Sequence, residues 1–454
     1  MKAFGTRSRS LVDRRSFVQA GMLGVGGLGL ADLARLRAEA ATSEAGKPPH
    51  ERTAVILFWL SGGPGHMETW DPKPDAPVEY RGPFGALATK VPGVHFGELM
   101  PKLAERMDQL AVLRSVNHGS GDHTKGNHWM LTGFEGPAFN APDNRRQRRP
   151  AMGAAVAKVR GANEPGMPPY VGVPHLRGGT DNLFHYSAYL GGACNPFVVN
   201  SDPSRADFAV RNLTLASGLT HHRLGDRLQL LQSMDTLRRA GDATMDDLDQ
   251  HHQQAFELLT SRRVRDAFDI EAEPAAVRES YGMHTFGQSA LVARRLVEHG
   301  VTFVTVNCEP WDHHGSANRY QTAEGAKLLI PPLDHAMSGL IDDLIQRGLY
   351  ERTLVVAMGE FGRTPKMNQY AGRDHWGRTF SVLMGCGSMS MGQVVGRSSA
   401  RGETVVNRPI SPEDVAATMY RHLGIDGSRT TFRDQLDRPM PLISDGQPIA
   451  ELFG

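Results

Sequence analysis

The chain of 454 residues is poor in cysteine: Cys194, Cys308 and Cys386 are its only three. Three are too few for a disulfide framework, and their spacing lacks the paired C-x-x-C of a zinc ribbon. A single bridge of the Cys194–Cys308 type stays open. An excess of charge of either sign is also missing. Lys and Arg number 50 against 49 Asp and Glu, so the formal net charge is +1. Such a chain lacks the basic field that phosphate backbones demand, which argues against nucleic acid as the main partner. Long apolar runs are absent too, which excludes a membrane span once a leader is removed. What is present fits a globular protein: 40% hydrophobic and 22% charged residues, with length for one large domain carrying insertions, or for two domains.

The N-terminus reads as a targeting segment over residues 1–40. "DRRSFVQAGMLGVGGLGL" puts Arg14 and Arg15 before Phe17, and an uncharged run follows. "AEA" at 38–40 supplies small residues for cleavage. This pattern looks like a twin-arginine signal peptide, which predicts use of the twin-arginine export machinery and a periplasmic or extracellular location. Residues 1–40 hold seven Lys or Arg and three Asp or Glu, so without them the net charge moves from +1 to −3. Gly24, Gly26 and Gly29 spell G-x-G-x-x-G, but a dinucleotide fingerprint must join a strand to a helix, and this one lies in the leader.

Residues 41–52 read as a polar linker, and a single domain over 53–454 follows. "TAVILFWLSGG" at 53–63 is an apolar run ended by glycines, the mark of a buried parallel strand. Residues 110–116 predict a second strand and 301–310 a third. Residues 285–300 and the stretch "PLDHAMSGLIDDLIQRG" predict amphipathic helices. "TLVVAMGEFGRTP" and "RTFSVLMGCG" predict two more strands, and "SPEDVAATMYRHLGI" a capped C-terminal helix. Helices alternating with buried strands predict an α/β sheet covered on both faces. Residues 134–280 break the alternation and read as an insertion, loop-rich to about 219 and then charged and helical.

Polar clusters sit beyond one strand after another. "GGPGHMETWD" holds His66, Glu68 and Asp71. "SVNHGSGDHTKGNHWMLTG" holds His118, His123 and His128, five apart, so no single helical face gathers all three. "CEPWDHHGSA" holds Asp312, His313 and His314; "GEFGRTP" holds Glu360 and Arg363; "GRDHWGR" holds Arg373, Asp374 and His375. In open α/β sheets ligands bind at the C-terminal ends of the strands, so these clusters converge. A mixed oxygen and nitrogen set suits a divalent ion such as Zn, Mn, Ca or Mg better than a thiolate site. Arg363 and Arg373 could grip a phosphate or sulfate in bidentate fashion. Taken singly, each of these residues is as well explained as a helix cap or a core histidine.

"LSGGPGHMETWDPKP", "YGMHTFGQSALVARRLVEHGVTFVTVN", "WDHHG", "GEFGRTP" and "GRDHW" closely resemble the exported bacterial family called domain of unknown function 1501. That family is similar to the alkaline phosphatase and sulfatase superfamily. The resemblance implies a three-layer α/β/α sandwich with a mostly parallel central sheet and metal ions at the strand ends. It implies Asp312, His314, Glu360 and His375 as metal ligands; the polar clusters themselves add Asp374 and, after the first strand, one of His66, Glu68 or Asp71. Where superfamily members carry an Asp-His pair, this chain has Glu360 and Phe361. Sulfatases place their nucleophile ten residues before the glycine of a "LLTG" ending; counting back from Gly133 lands on His123. The C/S-x-P-x-R pattern of formylglycine enzymes is absent, which leaves Thr124 or Ser120 as the hydroxyl candidates.

The first expectation is an exported metal-dependent hydrolase acting on a phosphate or sulfate ester, including sulfated or phosphorylated glycans. His123, Thr124 and Arg363 would form its catalytic group. The alternative is a non-catalytic protein on a degenerate hydrolase fold that binds an anionic glycan or a cell-envelope partner. A third reading gives the helical insertion a role in oligomerisation.

Overall fold

A computed structural model describes residues 52–138, 140–143, 146–176, 184–210, 213, 258, 260–316 and 319–454. The chain divides at Arg52 into two compact units. The stretches read as a signal peptide and a linker, up to residue 51, and most of the stretch read as a helical insertion fall outside the described residues.

The second unit is built on an eight-stranded sheet. In chain order its strands are β1 (Ala54–Leu60), β2 (Ala111–Val116), β3 (Tyr170–Val173), β4 (Phe197–Val198), β5 (Phe303–Cys308), β6 (Thr353–Met358), β7 (Phe380–Gly385) and β8 (Gln393–Val395). Their spatial order is β8-β2-β7-β6-β1-β5-β3-β4. Seven strands run the same way, and only β7 is antiparallel to both of its neighbours.

Strand β1 shows why the sheet is enclosed. All seven residues of "AVILFWL" are buried. Ala54, Ile56, Phe58 and Leu60 enter one apolar cluster, while Val55, Leu57 and Trp59 enter the other. Successive side chains point to opposite faces, so a strand apolar at every position needs cover on both sides. One face is covered by α3 (Thr285–Glu298) and α4 (Thr322–Gln346), through residues such as Leu291, Leu333 and Met337. The other is covered by α1 (His123–Thr132), α2 (Met152–Val159) and α5 (Pro412–His422), through Leu131, Val156 and Met419. The result is the expected α/β/α sandwich.

Three details differ from the sequence reading. The helix read from Pro332 starts ten residues earlier, at Thr322, behind a capping box of Gln321 and Glu324. Pro331 and Pro332 lie inside it; each forgoes a backbone donor, and burial of Ile330, Leu333 and Met337 outweighs that loss. The stretch read as a loop-rich insertion supplies β3, β4 and α2 to the sandwich. Four- and two-residue strands are too short to show a period. The three cysteines are free and buried, so no Cys194–Cys308 bridge forms.

No helix among the described residues is long and apolar enough to cross a membrane.

Candidate metal centre

The ends of β1, β2, β5 and β6 lie on one edge of the sheet, and the reversed β7 brings the residues before it to that same edge. After β1 the chain turns sharply at Gly62, where φ is +109° and an added Cβ would sit 2.8 Å from the Asp312 backbone nitrogen. A side chain there would push the β5 loop away, so the glycine permits close approach of the two loops.

Asp312 stands at the centre. It is 6% exposed. His314 Nε2 lies 2.8 Å from its Oδ1, His375 Nε2 3.3 Å and His123 Nε2 3.8 Å. Burial pushes the Asp312 carboxyl up, and the Arg363 guanidinium beside it pulls it down.

Each of the three histidines is oriented from behind. His123 Nδ1 is 2.7 Å from Glu360 Oε1, His314 Nδ1 is 3.0 Å from Asp374 Oδ1, and His375 Nδ1 is 2.8 Å from the carbonyl of Gly121. An acceptor at Nδ1 fixes the proton there and leaves the Nε2 lone pair directed inward. Three lone pairs and a carboxylate oxygen therefore face one another. Ligand atoms of His123, Asp312 and His375 all fall within 4.8 Å, and His314 Nε2 lies 2.8 Å from His375 Nε2. Converging lone pairs repel unless a cation or proton lies between them. Zinc bonds of about 2.0–2.1 Å to nitrogen put tetrahedral ligand atoms roughly 3.3 Å apart. The donor set thus fits a divalent ion, with carboxylates and a carbonyl orienting the imidazoles as such sites require.

The remaining predicted residues separate into distinct roles. Glu360 is fully buried, and both its oxygens also accept from Gly62 N, at 2.9 and 3.1 Å. It sits behind His123 and not among the converging atoms. Asp374 likewise sits behind His314, and Asn368 Nδ2 braces it at 3.1 Å. His66 does not join the group: its Nε2 meets the Gly402 carbonyl at 3.1 Å, and burial pushes its pKa down to about 4. Glu68 is bound to Arg373 at 2.9 Å, and Asp71 to Lys73 at 2.7 Å. Thr124 is 1% exposed, and its hydroxyl has no hydrogen-bond partner among the described residues. Ser120 Oγ accepts from Asp122 N at 3.2 Å.

Arg363 is 2% exposed. Its guanidinium donates to the carbonyls of Gly62, Gly63, Trp311 and Arg373 and to Asp312 Oδ1. With its donors committed, it braces the loops and does not reach out to an anion. Arg319, which the sequence reading passed over, occupies the outer position instead. Its Nε is 3.3 Å from Asp312 Oδ2, and its side chain is 48% exposed. Nothing in the sequence marked it, because "GSANRYQ" has no spacing that points to a site.

The three histidines of the stretch after β2 divide their work. His118 Nε2 meets the Glu360 carbonyl at 2.7 Å, and its ring stacks on Trp129. His123 opens α1, behind an Asp122 cap that accepts from Lys125 N. His128 is fully buried, 2.9 Å from the Phe134 carbonyl. Phe361 stacks on His375, with ring centres 4.5 Å apart, and touches His123 at 4.8 Å. The phenyl ring thus packs the two imidazoles that bracket it.

Residues 52–453 match the model of the family described as "Protein of unknown function (DUF1501)". The chain belongs to that family.

No curated protein matches it. Among solved structures it is similar to the lipoteichoic acid synthase LtaP from Listeria monocytogenes, at 10% identity and TM-score 0.38, covering 90% of this chain and 81% of that one. It is similar to the phosphonate monoester hydrolase of Agrobacterium radiobacter, at 13% identity and TM-score 0.39, covering 88% and 77%. The C-terminal periplasmic domain of EcEptC from Escherichia coli, in complex with Zn, follows at 11% identity and TM-score 0.37, covering 85% and 87%. The α/β layout stands on the sheet itself.

Proposed function

We propose that this chain is an exported, metal-dependent hydrolase of phosphate or sulfate esters, centred on Asp312. The observation that carries the reading is the convergence of His123 Nε2, Asp312 Oδ1 and His375 Nε2 within 4.8 Å, with His314 Nε2 beside them. Three imidazoles to one carboxylate favour Zn over Ca or Mg, which prefer all-oxygen sets. A divalent ion held there would polarise the ester and acidify water.

The chain's own residues supply the rest. His123, His314 and His375 hold their protons on Nδ1, so their Nε2 atoms stay available as ligands. Asp312 carries the negative charge that balances the centre. Arg319 presents an exposed guanidinium edge beside Asp312 Oδ2, where it can grip an ester oxyanion. Thr124 offers no accessible hydroxyl and Arg363 no free donor, so water is the nucleophile in this reading. The Arg14–Arg15 leader supports export by the twin-arginine route, with a sulfated or phosphorylated glycan as the substrate class.

The test is turnover of aryl phosphate, phosphodiester and sulfate esters by the metal-loaded protein, against Asp312→Asn. Turnover lost in the variant supports the reading. The committed Arg363 and the buried Thr124 favour a second reading, a non-catalytic binder of anionic glycan. Glycan binding without turnover of any ester would establish that instead.

A further inference from the structure

Arg363, which holds Asp312, also lines a small cavity between the loop after β5 and the first turns of α4. Its volume is about 10 Å³, the room that one water molecule needs. Trp311 and His313 supply one wall, and Thr322 of α4 supplies another. These walls are closed to the outside: Trp311 is 1% exposed, His313 6% and Thr322 3%.

The main chain on both sides is tied elsewhere, which keeps the cavity open. Trp311 N donates to the Ser61 carbonyl at 2.9 Å, and Arg373 N donates to the His313 carbonyl at 3.0 Å. Thr322 N donates to the Ala371 carbonyl at 3.0 Å. The His313 ring lies against α4 at Gly325, where there is no room for a Cβ.

Three polar atoms of these walls have no hydrogen-bond partner among the described residues: Trp311 Nε1, His313 Nε2 and Thr322 Oγ1. Buried polar groups are nearly always paired, so three orphans around one cavity call for an explanation. The charged residues of the lining do not serve them. Glu68 and Arg373 pair with each other at 2.8 Å, and Arg363 commits its donors to carbonyls and to Asp312. The orphans also differ in what they demand. Trp311 Nε1 can only donate. The Pro310 carbonyl accepts from the His313 ring; Nε2 has no partner, so that proton sits on Nδ1 and Nε2 can only accept. Thr322 can do either. The indole N–H repels a cation, and the imidazole lone pair repels an anion. A water molecule accepts from Trp311, donates to His313 and meets Thr322 in either sense.

We infer that this cavity binds a single ordered water, which ties the two residues flanking Asp312 to the N-terminal turn of α4. Asp312 stands between Trp311 and His313 in the chain, so the bridge sets the backbone from which its carboxylate projects. Trp311, His313 and Thr322 are thus positioning residues. The water stands whether or not the centre turns over an ester; its effect on metal binding rests on the proposed centre.

A high-resolution crystal structure of the purified protein tests the site. Density for one water is expected at about 2.7–3.2 Å from all three atoms. An empty cavity, an ion in its place, or Trp311 Nε1 bonded directly to His313 Nε2 would overturn the inference. Two variants test the positioning role: Thr322→Val keeps the shape and removes the hydroxyl, and Thr322→Ser keeps the hydroxyl. By chelator competition, Thr322→Val should weaken Zn binding by roughly tenfold, the low end for groups that orient a metal site. Thr322→Ser should bind Zn as the wild type does. Equal Zn affinity in the two variants would overturn the positioning role. No Zn binding by the wild type would overturn the proposed centre instead, and the density would still decide the water.

Discussion

His123 Nδ1 lies 2.7 Å from Oε1 of the buried Glu360. The carboxylate fixes the imidazole tautomer, so His123 presents Nε2 as a lone pair. Glu360→Gln would keep the shape but weaken that orientation. Metal affinity should fall by roughly 10- to 100-fold, as for other residues that orient metal-bound histidines. Competition with a chromogenic chelator measures it, and unchanged affinity would remove Glu360 from the centre.

The two arginines near Asp312 should behave in opposite ways. Arg363→Met strips several buried partners of their donor and leaves Asp312 short of a counter-charge, a loss of about 3–5 kcal/mol. Arg319→Ala touches an exposed side chain and should change stability by less than about 0.5 kcal/mol. It should weaken inorganic phosphate binding to the metal-loaded protein by roughly tenfold, the worth of one charge-assisted contact. Urea unfolding and calorimetry together separate the two roles.

Thr124→Val removes a buried hydroxyl that has no partner among the described residues. Unpaired buried hydroxyls are costly, so stability should hold or rise by about 1 kcal/mol. Ester turnover should be unchanged. A large loss of turnover without loss of fold would restore Thr124 as the nucleophile.

Stability should fall steeply below neutral pH. Burial lowers His66, His128, His313 and His422 to about 4 and His185 to about 3. Unfolded histidines titrate near 6.5, so between about 6.5 and 4 the unfolded chain binds more protons and stability drops as pH falls. Each such group contributes up to about 1.4 kcal/mol per pH unit. Asp334, raised by burial to about 6, works in the opposite sense and offsets one of them. Urea midpoints at pH 7.5, 6 and 5 should decline in order; a flat profile would contradict the burial of these rings.

How much of this the sequence reveals depends on the length of the signal. The β1 run "AVILFWL" and the capping box at Ser411 and Asp414 declare themselves locally. The position of Asp312, His314 and His375 on one edge follows from strand order. Residues that act through long-range contact do not show this way. Glu360 carries the same carboxylate whether it ligates or orients, and only its distance to His123 decides. Arg363 and Arg319 are both plausible anion grips by type; burial of one and exposure of the other separate them. β3 is too short to declare itself, so two strands of the sheet were legible only in three dimensions.

The central claim is the metal centre, and metal content tests it most directly. Protein purified without chelator should carry about one equivalent of a divalent transition metal by mass spectrometry. X-ray absorption at the metal edge should show nitrogen-dominated ligands at about 2.0–2.1 Å. Asp312→Ala and His375→Ala should each lose the metal while circular dichroism still reports a folded α/β protein. Wild-type protein that takes up no metal from Zn- or Mn-supplemented buffer, or a folded Asp312→Ala variant that keeps its metal, would contradict the account.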